Sequence, residues 1–570
     1  MSATGAAEPA QYSFPPRVGR SFSSSFLSGD PMARGFLPRD FRDQSARIAS
    51  ARAAAARRIA PAALEVLVEQ QARLPPSRAR DEHLAALAAG ETAVVVSGQQ
   101  VGLFLGPLYT FYKAASAVAI ARALQAEAGV RCVPLFWLQT EDHDFAEIAG
   151  CTVASERAGG RPTRLALPAE SPDQARRSVA HRHLGPEIVG VLDELAGHLG
   201  DGAPARAVMM LLRAHYVAGR PLAAAFAGAL AELFAEEGLL FLDPRDARVA
   251  RAAAPLYRRA LEDAPVVDRQ LAEQAARLAQ AGFDEQVPLR AGSPLVFVHR
   301  GGPEGPRFRL QRRETEPDRR PRDDDGDYVL AGTDEVVSSR EVVRRLEHEP
   351  LSCSTSALLR PLIQDALLPT AAYVGGPAEV SYFAQLIPLY GLFELPPPLV
   401  IPRARFRCVD ARARRLLDQL GLQPDDLTRP PSELLAKVAV SRATDAPDPA
   451  ALERLVHDEI APRVAELAEA VARSRPELAR AAERTRDSVT HVLARLTERY
   501  GRALLDRDTV TRERLTRLRH LLLPDGEPQE RTYGWTSLAA RVGAEPLKQQ
   551  VFAALAEHGP FPTDVLDLRP

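Results

Sequence analysis

Apolar residues arrive in short β-branched runs from residue 92 onward. TAVVVS (92–97) precedes a glycine-rich loop and a helix starting near Pro107, and CVPLFWL (132–138) is a second buried run. CTVAS (151–155) reads as a third strand, while GLLFLD (238–243) and AAYVG (371–375) each lead towards a helix. Strand, glycine loop, helix and strand in succession predict an α/β fold: a parallel sheet with crossover helices, doubly wound. Before this core, residues 1–90 combine a polar Pro/Ser-rich start with an Ala/Arg-rich helical stretch from about Phe41 to Ala89. Within the core (91–408), two spans read as insertions. Residues 155–235 are mostly helical, and 284–350 mix short strands such as PLVFVH (294–299) with an Arg/Asp-rich loop (311–326).

The period changes after PPPLVIPRARF (396–406), and residues 409–522 read as a helical domain. Apolar residues fall at Val464, Leu467, Val471 and Leu478, then at Val489, Leu493, Leu496, Tyr500 and Leu504. Intervals of three and four make a coiled-coil seam. Pro476 ends or kinks the first helix, so an antiparallel hairpin is expected rather than one rod. An ordinary helical domain packed on the core and a projecting arm that dimerises both fit this pattern. Residues 523–570 read as a compact segment returning to the core.

Composition narrows the class. Hydrophobic residues make up 46% of 570, enough for a large interior. Basic and acidic residues nearly cancel, 72 against 74, which gives no electrostatic reason to expect nucleic acid as a partner. Four scattered cysteines, Cys132, Cys151, Cys353 and Cys408, form no CxxC pair and look like buried thiols of a reducing compartment. No apolar stretch is long enough to span a bilayer, and MSATGAAEPAQYSFPPR lacks the order of a secretory signal, so a cytoplasmic protein is expected. Arginine is the habitual cation; the lysines are Lys113, Lys437 and Lys548. A lysine among arginines can mark a place that needs a compact ammonium, and Lys113 stands out through its neighbours.

Three segments carry candidate chemistry. In SGQQVGLFLGPLYTFYKA (97–114), Gly98, Gly102 and Gly106 allow tight turns and close approach to a ligand, and Pro107 suits a first helical turn. The emerging helix N-terminus is suited to an anion. Gln99 and Gln100 add neutral donors and acceptors, and Tyr109 and Lys113 share a helix face. The segment matches neither the dinucleotide fingerprint nor the Walker loop. A plain packing turn would explain the glycines and proline, but not the glutamines and the lysine.

In FWLQTEDHDFAEI (136–148), Trp137 ends a strand and Glu141, Asp142, His143 and Asp144 crowd three carboxylates around one imidazole. That grouping suits a general acid or base, or a divalent metal, although consecutive residues cannot all face one ion. Asp144 could equally cap the following helix. In LLRPLIQD (358–365) and YVGGPAEVSYF (373–383), Gly375 and Gly376 open a second strand-to-helix turn. Arg360 could clamp a carboxylate, and Glu379, Ser381 and Tyr382 follow in the first turns. His181 and His183 could pair on a metal, but exposed histidines of a helical insert are commoner.

These blocks, extended as VPLFWLQTEDHDFAEI and STSALLRPLIQDALLPTAAYVGGPAEVSYF, resemble the hallmark blocks of the BshC family. PLVIPR (398–403) and LPDGEPQER (523–531) match in kind and order. The resemblance implies a Rossmann-like core similar to nucleotidyl-transferase-type enzymes, two connecting-peptide insertions and a coiled-coil domain that homodimerises. It implies addition of cysteine to glucosaminyl malate to form the amide of bacillithiol. Such a condensation needs an activated carboxylate, which favours ATP, with or without Mg2+, and no tightly bound cofactor. On this assignment the 98–109 loop and Lys113 hold anionic groups, and one of Glu141, Asp142, His143 and Asp144 deprotonates the amine. Arg360, Glu379, Ser381 and Tyr382 bind the malate or cysteine portions. An adenylating ligase or nucleotidyl transferase for another small acid, and a dimeric nucleotide-binding scaffold without catalysis, remain as alternatives.

Overall fold

The computed structural model describes residues 21–157, 160–313, 327–430, 433–434, 437–438, 449–505 and 509–570. The N-terminal MSATGAAEPAQYSFPPR segment and most of the Arg/Asp-rich loop lie outside them.

Five parallel strands form the core: β1 (Thr92–Gln99), β2 (Arg131–Leu138), β3 (Leu240–Leu242), β4 (Thr370–Gly375) and β5 (Leu399–Pro402), in the spatial order β5-β4-β1-β2-β3. Their residues are buried almost throughout, as expected of a parallel sheet covered on both faces. Register is set by long pairings: Thr92 to Gln99 of β1 face Arg131 to Leu138 of β2, and Gly375 of β4 faces Pro402 of β5. Pro402 is tolerated because β5 is an edge strand. Chain order reverses on either side of β1, so a crevice is expected beyond the carboxyl ends of β4, β1 and β2. Helix α1 (Tyr109–Ala128) follows β1, and helix α2 (Pro377–Leu392) follows β4.

Two sequence expectations are corrected. CTVAS is not a core strand: Gly150–Ser155 pairs antiparallel with Arg161–Ala166 in a separate hairpin. The edge strand Leu399–Pro402 was not read as a strand, because a run of three prolines before it and Pro402 at its end hide a four-residue signal.

The attached spans fold against the sheet. Helices Gln44–Ala55 and Pro61–Gln71 are tied to it by Ser50 Oγ donating to the Ala371 carbonyl (2.7 Å) and Gln71 Nε2 donating to the Phe241 carbonyl (2.6 Å). Residues 296–355 contain a five-stranded antiparallel sheet, with Cys353–Thr355 beside Val296–His299, then Arg307–Arg312, Tyr328–Leu330 and Val336–Val337. All four cysteines are buried free thiols, and burial pushes each one up, to about 11 or 12. No helix among the described residues is long and apolar enough to cross a membrane.

In the helical region, Ala461–Ser474 and Ala479–Leu505 pack on each other across a short turn at Pro476–Leu478. Proline lacks the N–H that would continue the first helix, so the chain reverses there. Within this hairpin Val464, Val471, Val489, Leu493 and Tyr500 are half-buried, whereas Leu467, Leu478 and Leu496 are exposed, as is Val492. The side chain of Leu504 lies outside the described residues. Lys437 pairs with Asp426 at 2.6 Å nearby.

The C-terminal segment returns to the core. Val565–Leu568 pairs in parallel with Arg405–Cys408, and helices Trp535–Val542 and Ala544–His558 bury Trp535, Leu538, Leu547 and Val551 among core residues. Lys548 is anchored there by Glu237 at 3.2 Å. Trp535 is fully buried, so Trp535→Ala is expected to lower stability by about 3–5 kcal/mol in urea unfolding. A loss below about 1 kcal/mol would mean that the segment is only laid on the surface.

Candidate functional site

A cavity of about 990 Å3 opens beyond the carboxyl ends of the parallel strands. Each strand delivers its next residues to the wall: Gln99 and Gln100 from β1, Gln139 and Glu141 to His143 from β2, Gly376 to Glu379 from β4, and Arg403 from β5. The antiparallel sheet adds Phe297, Arg307, Arg309 and Thr355.

Lys113 of α1 reaches back under β1. Its Nζ donates to the Gly98 carbonyl (2.9 Å) and Gln99 Oε1 (2.8 Å) and pairs with Glu379 of α2. Glu379 also accepts from the Tyr373 hydroxyl (2.6 Å) and the Gly376 N–H (2.7 Å). Burial opposes ionisation of Glu379, but the Lys113 charge and these donors outweigh it and hold the carboxyl below its usual range. Burial draws the Lys113 ammonium below its ordinary value, with Glu379 opposing. Beside them Arg403 grips Glu530 of the C-terminal segment through both terminal nitrogens (2.9 and 2.6 Å). Arg360 donates to Gln364 Oε1 (3.0 Å) and to the hydroxyls of Tyr373 (3.2 Å) and Tyr382 (2.7 Å). Tyr109 and Trp137 also line this part, and burial raises the Tyr109 hydroxyl to about 12.

The acidic cluster is organised by Arg307. Its Nη1 donates to Asp142 Oδ1 (3.2 Å) and His143 Nδ1 (3.0 Å), and its Nη2 to the Thr355 carbonyl. The same His143 Nδ1 lies 3.3 Å from Asp142 Oδ1. Asp142 further accepts from Gln100 Nε2 (2.9 Å) and the His143 N–H (2.7 Å). Burial works against its charge, but the contacts to His143 and the Arg307 charge hold Asp142 well below the carboxylate range, which makes it a poor proton acceptor. Glu141 accepts from Thr355 Oγ1 (2.6 Å) and the Tyr257 hydroxyl (3.5 Å).

Several sequence-named residues do not line the cavity. Asp144 caps the short helix Phe145–Ile148 by accepting from the Glu147 N–H (3.1 Å). Ser381 turns back to the Pro377 carbonyl (3.0 Å). Gly98, Gly102 and Gly375 answer to packing: a Cβ would lie 2.6 Å from the Trp137 carbonyl oxygen, 2.9 Å from Gly106 Cα and 3.0 Å from Glu379 Cβ, respectively. Gly106 adopts φ 64°. The 102–108 loop is buried; Leu108 N–H donates to the Tyr533 carbonyl (2.7 Å), and Leu105 N–H to the Tyr216 hydroxyl (3.0 Å). The C-terminal segment therefore covers the 102–108 turn, while Gln99, Gln100, Tyr109 and Lys113 on either side of it line the cavity. His183 Nδ1 lies 3.3 Å from the His181 carbonyl, and no metal-binding group of three His, Cys, Asp or Glu exists among the described residues.

The sequence reading missed Arg403, Arg531, Glu147 and the organising Arg307, among other lining residues. Arg403 and Arg531 sit in segments quoted only as blocks, PLVIPR and LPDGEPQER, and the strand that ends just before Arg403 was itself hidden by its prolines. Glu147 lies just past the acidic run. Part of its surface stays open, yet loss of hydration at the cavity and then the charges of Asp142 and Asp144 raise its carboxyl to about 7.

Two family models cover the chain. Residues 15–404 match the model described as bacillithiol biosynthesis BshC, N-terminal Rossmann-like domain, and residues 406–560 its C-terminal coiled-coil domain. Curated relatives share this extent. A protein of Koribacter versatilis is 33% identical over 492 residues, covering 86% of this chain and 87% of the relative. One of Salinibacter ruber is 33% identical over 505 residues, covering 87% of each, and one of Solibacter usitatus is 31% identical over 497, covering 85% and 88%. All three carry the name "Putative cysteine ligase BshC".

Removing one member of the buried Lys113–Glu379 pair strands the other charge. Lys113→Met is expected to cost about 3–5 kcal/mol in denaturant unfolding, and adding Glu379→Gln to recover part of it. Purely additive losses would show that the two charges do not support each other.

Proposed function

This chain belongs to the BshC family, and from that premise we propose that it ligates L-cysteine to glucosaminyl malate, forming the amide of bacillithiol. The observation that carries this reading is one cavity at the strand ends lined by the buried cations Lys113, Arg360 and Arg403 in one part and by Glu141, Asp142, His143 and Glu147 in another.

A carboxylate and an amine do not condense unaided, because oxide would have to leave. ATP supplies the activation: a cysteine carboxylate oxygen attacks phosphorus, a P–O–P bond of ATP breaks and pyrophosphate or ADP leaves, and the carboxylate becomes a mixed anhydride with a good leaving group. Residues suited to its phosphates are Arg269, Arg290 and Arg309, which line the cavity wall and make no salt bridge among the described residues. The sugar amine attacks the carbonyl carbon, the C–N bond forms, the anhydride C–O bond breaks, and the amine proton must leave. Glu147 accepts it. A base near pKa 7 is half-ionised at neutral pH, whereas Asp142 is held too acidic by its donors and His143 Nδ1 is occupied by Arg307. Gln100, which donates to Asp142, borders the same space, and Trp137 and Tyr109 supply apolar wall.

Incubation of the purified protein with cysteine, glucosaminyl malate and ATP is expected to yield bacillithiol, and deletion of its gene to accumulate glucosaminyl malate. Because Glu147 acts as the deprotonated form, kcat/KM should rise with pH through about 7. Glu147→Gln should remove that rise and lower the rate by about 100-fold or more. No cysteine-dependent product, or faster turnover with a different acid, would overturn the reading.

The functional unit we assign is a homodimer joined through the hairpin of residues 461–505. Leu467, Val492 and Leu496 are each about 60% exposed, a strip that the hairpin itself does not bury. A second copy presents the same strip at the same spacing. Sedimentation should give a dimer at micromolar concentration, and Leu493→Arg with Leu496→Arg should give a folded monomer. A dimer indifferent to both charges would place the interface elsewhere.

A further inference from the structure

The glycine that opens α2 is not required by its own backbone. Gly376 has φ −75° and ψ 177°, an extended conformation open to any residue. An added Cβ would meet Glu379 Oε2 at 3.4 Å, Arg403 Nε at 3.8 Å and Lys113 Cε at 3.8 Å, all ordinary contacts. Packing therefore permits a methyl group here, in contrast to Gly98 and Gly375. What the missing Cβ leaves open is cavity space in front of Arg403.

Arg403 supplies an independent observation. It is 4% exposed, and its two terminal nitrogens are spent on Glu530, yet its Nε–H has no partner. A buried guanidinium N–H left unpaired is costly, and this one lies beside the space that Gly376 leaves open.

Charge gives the third. Lys113 is matched by Glu379 and Arg403 by Glu530, but Arg360, also buried, donates only to an amide oxygen and two tyrosine hydroxyls. Burial pushes both hydroxyls above the ordinary tyrosine value, so they stay neutral. Of these three buried cations, Arg360 alone has no carboxylate in hydrogen-bond or ion-pair contact.

From these observations the geometry points to a carboxylate subsite at the N-terminal end of α2, in which Arg403 Nε–H donates to a ligand carboxylate that also balances the charge of Arg360. A ligand carboxylate supplies both the acceptor that Arg403 Nε–H lacks and the counter-charge that Arg360 lacks. The subsite goes beyond the proposed reaction, because it specifies the group bound whichever acid the enzyme uses. Within that reaction the carboxylate has two sources, the malate portion of one substrate or cysteine.

Calorimetric titration of the full chain with L-malate, L-cysteine and inorganic phosphate, without turnover, tests this apart from activity. At least one of the two acids should bind, with phosphate weaker. Gly376→Ala should weaken that acid by about tenfold or more while leaving the thermal midpoint near that of the parent. The acid that loses affinity identifies the source. Dimethyl malate, which lacks the charge, should not bind the parent protein, and this arm decides the matter for malate if Gly376→Ala fails to fold; cysteine methyl ester does the same for cysteine. Phosphate binding as tightly as the acids, esters binding as well as the acids, unchanged affinity in a folded Gly376→Ala, or no binding of either acid would overturn the subsite.

Discussion

Charges taken out of water must find partners, and in this molecule the partners lie far apart in sequence. Lys113 meets Glu379 and Arg403 meets Glu530, and each pair joins an element at the end of one parallel strand to an element made much later. The desolvation cost of either ion alone is several kcal/mol, so neither helix can shift without exposing its partner to that cost. Hydrophobic burial holds the sheet together; these pairs fix how the loops beyond it are aimed. Replacing them with apolar residues would leave a sheet of the same kind but remove the directional contacts that shape the cavity.

The same principle sorts the polar residues lining the site. Asp142 is surrounded by donors and a guanidinium, which keep it charged and inert as a base. Glu147, five residues later, has Gln100 but no guanidinium against it, and lost hydration and then the charges of Asp142 and Asp144 push it towards neutrality. Two carboxyl groups of similar type thus acquire different proton affinities because one has Arg307 and the other does not.

Much of the fold was legible. β1, β2, β3 and β4 were read from short β-branched runs between glycine and helix signals, and the hairpin from its three-and-four spacing with Pro476 at the turn. β5 was hidden by its prolines, and Gly150–Ser155 looked like a core strand because a hairpin strand and a sheet strand have the same local pattern. In the site, residues adjoining strand ends were found, since the topology of a parallel sheet predicts where they converge. Glycines were over-read: whether a glycine serves a ligand or a neighbour depends on what a Cβ would touch, and only coordinates show that Gly98 abuts the Trp137 carbonyl while a Cβ at Gly376 would make only ordinary contacts. Arg403 and Arg531 were missed for the opposite reason. Arginines abound in this chain, and nothing local marks the few that tertiary contacts bury or bring to the cavity.

The Arg403–Glu530 pair also says something about how the protein is made. Its members are 127 residues apart in the chain. At ribosomal speeds of about 5–20 residues per second, Arg403 is synthesised roughly 6 to 25 s before the carboxylate it will grip. During that interval the sheet can form, but the guanidinium at its edge has no protein counter-charge, and the turn at residues 102–108 has no cover from Tyr533. A nascent chain paused between these residues therefore exposes both a cationic crevice and an apolar loop, so the end of translation is also the moment at which the cavity acquires its last wall.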